Sequence, residues 1–99
     1  MIGKLKDMLH YREQRVKDEL YNAHAEKFAF IERVIESCQT EEQALNAYKW
    51  GTTILFGIER FECEKRRGTP ASWTIMGYMR HRREIVDEIY SRKKSTFKY

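Results

Sequence analysis

Thr40-Glu41-Glu42-Gln43 decides how this chain folds. The Thr40 hydroxyl is placed to accept from the Gln43 backbone N–H, and the Gln43 side chain to reach back, so the four residues read as a capping box opening a helix at Glu41. Nothing else marks a boundary nearby, since no Gly or Pro stands between Lys4 and Trp50. A helix therefore runs up to the box and another leaves it. The first is expected over about 2–38 and the second over about 41–67, where Lys65, Arg66 and Arg67 meet the negative end of the helix dipole and Gly68 takes a left-handed conformation. Thr69-Pro70 then restarts the chain, with Thr69 as N-cap and Pro70 as first helical residue of a third helix over about 70–93.

Periodicity supports this division. Val16, Leu20, His24, Phe28, Ile31, Ile35 and Cys38 recur at spacings of three and four, which places one face of helix 1 in a core. Ile2, Leu5 and Leu9 prolong roughly the same stripe. An unbroken helix 1 is about 54 Å long, too long for two shorter helices to cover. Either it breaks near Tyr21-Asn22, or Ile2, Leu5, Leu9 and Val16 pack on a second copy in a homo-oligomer. In helix 2 the stripe is read as Ala47, Trp50, Ile54, Ile58 and Phe61, with small residues beside it that make this helix the expected centre of the bundle. In helix 3 it is read as Trp73, Met76 and Met79, then Val86, Ile89 and Tyr90, interrupted by Arg80-His81-Arg82-Arg83. The expected fold is all-α: three helices in a single domain over residues 1–99, a long N-terminal helix plus an antiparallel helical hairpin.

Composition sets the class. At 99 residues there is room for one modest core, and 13% aromatic residues with a single proline separate the chain from disordered sequences. The longest uncharged stretch, Trp50 to Ile58, is far short of a membrane span, and the Lys4, Lys6 and Asp7 start lacks the pattern of a signal peptide. A cytoplasmic protein that does not enter membranes is expected, with Cys38 and Cys63 as unpaired thiols.

Charge is unevenly spread. Residues 1–59 hold 8 Lys/Arg against 10 Asp/Glu, a balance of −2, whereas residues 60–99 hold 11 against 5, a balance of +6. Three clusters carry the excess: Lys65, Arg66 and Arg67; Arg80, Arg82 and Arg83; Arg92, Lys93 and Lys94. On a helical hairpin they line up as a basic face for nucleic acid or an acidic protein surface, with Trp73 and Tyr78 as candidate stacking rings. The competing reading lays the helix 3 arginines on the core edge, paired with Glu59, Glu62 or Glu84.

Catalytic patterns are missing: there is no Gly-rich phosphate loop, His-Glu-x-x-His or Gly-x-Ser-x-Gly. The acid pairs Glu59/Glu62 and Asp87/Glu88 read as solvated carboxylates, His24 as a hydrogen-bonded core histidine, and Glu59 with Cys63 as too few ligands for a metal. No catalytic residue, metal or cofactor is expected.

The corner Ile35-Glu36-Ser37-Cys38-Gln39-Thr40-Glu41-Glu42-Gln43-Ala44-Leu45 resembles one in short helical-hairpin proteins of tailed bacteriophages, where a Cys, a capping Thr and Glu-Gln join two amphipathic helices. The resemblance covers about a tenth of the chain and implies a phage accessory protein, a class often devoted to redirecting host machinery. The expected function is thus a non-enzymatic interaction protein binding nucleic acid, or a complex that handles it, through the basic C-terminal face. Its rival is a modulator of a host enzyme or a self-assembling protein using the N-terminal helix.

Overall fold

The structure, a computed structural model, describes the backbone of residues 2–97 and the side chains of residue 8 and residues 10–97. Three helices account for it: α1 (Ile2–Ser37), α2 (Glu41–Lys65) and α3 (Ser72–Ser95). α1 is a single rod without a break at Tyr21-Asn22, which gives the molecule its 59 × 26 × 18 Å proportions. α2 runs back along α1, with Gly51 against Ile31 and Glu62 against His24. α3 reverses again, setting Arg83 beside Glu59 and Asp87 beside Tyr48. α2 and α3 form the expected antiparallel hairpin, and α3 lies parallel to α1.

The capping box forms with one difference. Thr40, extended at φ −128°, ψ 157°, accepts from Gln43 N at 3.1 Å, but the Gln43 side chain accepts from Gln39 N at 2.9 Å rather than from Thr40. α2 ends two residues before the expected limit, at Lys65, and Gly68 turns the chain at φ +84°, a conformation open to glycine because it lacks Cβ. α3 starts two residues after its expected start. The Thr69 hydroxyl donates to Arg66 O and accepts from Ala71 N, so it closes the turn instead of capping the helix, and Pro70 lies in that turn.

The core joins Leu20, Phe28, Ile31 and Ile35 of α1 to Leu55 and Ile58 of α2 and to Ile75, Met79, Val86 and Ile89 of α3. The α1 stripe is the expected one; on the other two Ala47, Ile58, Met79, Val86 and Ile89 are buried as expected, and the remaining positions are shifted. On α2 the buried positions are Ala44, Ala47, Gly51, Leu55, Ile58 and Glu62, while Trp50 and Phe61 are exposed. On α3 Ile75 and Met79 go inside, and Trp73 and Met76 face out. Close helix approach explains the α2 shift: a Cβ on Gly51 would lie 2.5 Å from Ile31 Cγ2, so this face has no room for an indole ring. α3, rather than α2, is the central element, since it packs extensively on both neighbours.

Among the described residues, the first of α1 to share a groove with the α2–α3 turn are Arg12 and Glu13. The helix N-terminal to them, about 15 Å of rod, projects past the bundle.

Candidate interaction surfaces

The nine basic residues expected to form one face are divided by the fold. Arg82 occupies the core-stripe position between Met79 and Val86; its stem is part-buried, its guanidinium carbon stands 4.5 Å over the Phe28 ring, and Nη2 is 3.5 Å from Glu32 Oε1. Arg83 lies 4.4 Å over Phe56 with Nη1 3.0 Å from Glu59 Oε1. Arg66 reaches Glu19 at 2.9 Å and Glu62 at 3.6 Å, and Lys93 Nζ donates to Glu36 O at 2.7 Å. The guanidinium groups of Arg66, Arg82 and Arg83 thus pair with carboxylates of their own chain. Lys65, Arg67, Arg80, Arg92 and Lys94 are exposed, Arg67 and Arg92 beside Glu64 and Glu88. Lys65 and Arg67 sit at one end of the bundle and Arg92 and Lys94 at the other, with Arg80 between them, alone of its cluster in no ion pair among the described residues.

A buried polar chain crosses the α1–α2 contact. Glu62, 2% exposed, has Oε1 2.8 Å from His24 Nε2, from which it accepts when that nitrogen carries the proton, and His24 is itself only 7% exposed. Sequence reasoning placed Glu62 in solvent; it falls instead one turn after Ile58 on the inward stripe. Arg66 links this pair to Glu19, and the hydrogen bond from Arg66 holds the Glu19 carboxyl below its ordinary value. The edge of the His24 ring borders a groove between α1 and α2, whereas Glu62 is enclosed. The Cys63 thiol, half-buried nearby, is pushed up by burial and by the Glu59 and Glu62 charges, which disfavours the thiolate. On the far side of α2, Tyr48 donates to Asp87 and stacks on Tyr90; the bond to Asp87, then burial, push its phenol up to about 12. Among the described residues no three His, Cys, Asp or Glu side chains converge as metal ligands.

Of the expected inner stripe of α2, Ala47 and Ile58 are buried, Ile54 packs half-buried at the core edge, and Trp50 and Phe61 face outward. Trp50 is 39% and Phe61 60% exposed, and Ile54 and Gly57 lie on the same face between them. Phe30 of α1, 52% exposed, extends it, meeting Trp50 edge-to-face with ring centroids 5.8 Å apart. A groove of about 330 Å³ opens between α1 and α2, lined by His24, Lys27, Ile54, Gly57, Ile58 and Phe61.

Trp73, expected in the core, is 81% exposed. It separates two grooves of about 540 and 590 Å³; Lys17 and His81 border the first, Arg12, Arg15, Arg66 and Pro70 the second. Tyr78, the other candidate stacking ring, is part-buried 6.2 Å from Phe28. Of the proposed oligomer contacts, Val16 packs against the chain's own core, and the side chains of Ile2, Leu5 and Leu9 lie outside the described residues. No described helix is long and apolar enough to cross a membrane. Compared with family models, curated proteins and solved structures, the chain matches none.

Proposed function

We propose that this chain is a non-enzymatic protein-binding module that holds an amphipathic helix against the outer face of α2. The observation that carries the reading is the exposed rings Trp50 and Phe61 of α2, with Phe30 alongside and half-buried Ile54 and exposed Gly57 between them. Contiguous apolar surface of this kind marks interaction sites, whereas single exposed apolar residues need no explanation. Its spacing of three and four matches the anchors of a helix laid in a groove. Lys27 at the border favours an occupant with acidic residues flanking its apolar face. The test is affinity capture with three proteins: the parent, Phe61→Glu, and Arg80→Gln with Arg67→Gln. Partners retained by the parent and by the double Gln variant, but lost on Phe61→Glu, support the reading; partners lost only on the double Gln variant refute it.

One observation favours a second reading, binding of single-stranded nucleic acid: the bare Trp73 ring between grooves bordered by Arg12, Arg15, Lys17 and His81, with Glu13 and Glu19 among them. Bases stack on such a ring while cations follow the backbone, and affinity falls with salt. On this reading Trp73→Ala weakens binding to a short single strand by at least about tenfold, equivalent to about 1.4 kcal/mol. Equal binding by parent and variant removes it.

A further inference from the structure

The hydrogen bonding of the buried imidazole is only half accounted for. His24 Nε2 lies 2.8 Å from Glu62 Oε1, but Nδ1 is buried with no hydrogen-bond partner among the described residues. A polar atom taken out of water without a partner costs free energy, and in a folded chain it calls for a reason.

The ring itself indicates where a partner would come from. In an imidazole Nε2 and Nδ1 belong to opposite edges. Nε2 is turned to Glu62, and Glu62 does not border the groove between α1 and α2 that the ring reaches, so the edge turned to the groove is the one carrying Nδ1.

The groove has its own character. Ile54, Ile58 and Phe61 supply apolar walls, and Lys27, one turn after His24 on the same face of α1, supplies an exposed cation. No described carboxylate borders it, whereas Glu13 and Glu19 lie in the grooves beside Trp73. Its volume of about 330 Å³ reaches the roughly 300 Å³ at which small-molecule pockets begin.

A carboxylate answers both polar groups. One oxygen accepts from the Lys27 ammonium; the other accepts from Nδ1–H when the imidazole carries two protons, with Nε2–H directed to Glu62. An apolar body attached to it covers Ile54, Ile58 and Phe61.

We propose that the groove between α1 and α2 binds a small carboxylic acid with an apolar body, its carboxylate held by Lys27 and by His24 Nδ1. This site stands apart from the protein-binding reading, in which a partner helix lies across the outer rings; the acid enters between the two helices.

Titration of phenylacetate into the full chain, followed by heteronuclear NMR, tests it. Saturable binding is expected on the order of 1 mM, as suits so small a ligand, with the Nδ1 resonance of His24 displaced. Phenylacetamide, of the same shape without the charge, binds at least about tenfold more weakly. Lys27→Met weakens phenylacetate at least about threefold and leaves phenylacetamide unchanged. Gly57→Leu, which sets a side chain at the groove wall, weakens both ligands while circular dichroism shows the helices retained. No saturation at tens of millimolar overturns the site, as do an undisplaced Nδ1 resonance, equal affinity for acid and amide, or binding that Gly57→Leu leaves intact. None of these results touches the capture experiment with Phe61→Glu, so the two readings fail separately.

Discussion

The two faces of α2 invert the usual assignment of large rings to the inside. The inward face offers Ala44, Ala47, Gly51, Leu55, Ile58 and a carboxylate, Glu62; the outward one offers Trp50, Gly57 and Phe61, with Ile54 half-buried at its edge. Side-chain hydrophobicity alone would turn the helix by about 100°, one residue. Its actual orientation follows from fit: the inward face packs against α1 with Gly51 under Ile31, and the charge it buries is met by His24 and Arg66. Burial selects shapes that close-pack, and the larger apolar residues are left for another surface.

Neighbouring residues 61 and 62 give the sharpest way to break that contrast. Glu62→Ala leaves His24 and Arg66 facing a void and is expected to cost about 3 kcal/mol in denaturant unfolding, the low end for breaking a buried pair. Phe61→Ala, measured at a concentration where the chain is monomeric, is expected to stay within about 0.5 kcal/mol of the parent. A reversal of the two values would mean that the helix is rotated as its aromatic periodicity suggests.

The two glycines come next. Gly51→Leu forces side chain into the α1–α2 contact and is expected to destabilise by about 1–3 kcal/mol. Gly57→Ala enters open space, and in the monomer it is expected to stabilise by about 0.5–1 kcal/mol through helix propensity. Thermal melts of the two variants moving in the same direction would erase the distinction between the faces.

Smaller still is the helix start on which both faces depend. Thr40→Ala removes the acceptor for Gln43 N and should cost about 1 kcal/mol; an unchanged melting temperature would show the cap to be idle. The smallest effect lies at the α3 edge of the inward face and appears only in alkali. Tyr48 has its phenol raised above the ordinary value of 10.0 to about 12, so the neutral form is favoured by folding. Its contribution is complete below pH 10 and is lost as pH rises from about 10 to about 12. Tyr48→Phe should lose this dependence, as read in melting temperature against pH.

The contrast also shows what was legible in the sequence. Helix number and the two corners were readable because the Thr40 capping box and Gly68 act locally, through hydrogen bonds and φ within a few residues. The α1 stripe from Leu20 to Ile35 was readable because no competing apolar series runs beside it. On α2 and α3 two series do run side by side, and the larger rings, Trp50, Phe61 and Trp73, gave the stronger periodic signal although smaller neighbours fill the core. Thr69 offered equal chemistry for a cap and for a turn, and only the position of Arg66 O decides between them. The candidate site was half visible. Pairing of a helix 3 arginine with Glu59 follows from hairpin geometry, whereas Arg82 with Glu32 and His24 with Glu62 join residues 50 and 38 apart. A glutamate in so charged a helix reads as solvated unless its distant partners are known.

The parallel placement of α1 and α3 also bears on how quickly the molecule assembles. Contacts such as Phe28 with Tyr78 span fifty residues, but the chain reaches them through two corners of only a few residues each. Most of that separation is taken up as rigid rod once α2 has formed, and the remaining closure entropy grows only with the logarithm of the slack. Sequential helices with tight corners have low contact order, which places this chain among domains that fold in microseconds to milliseconds.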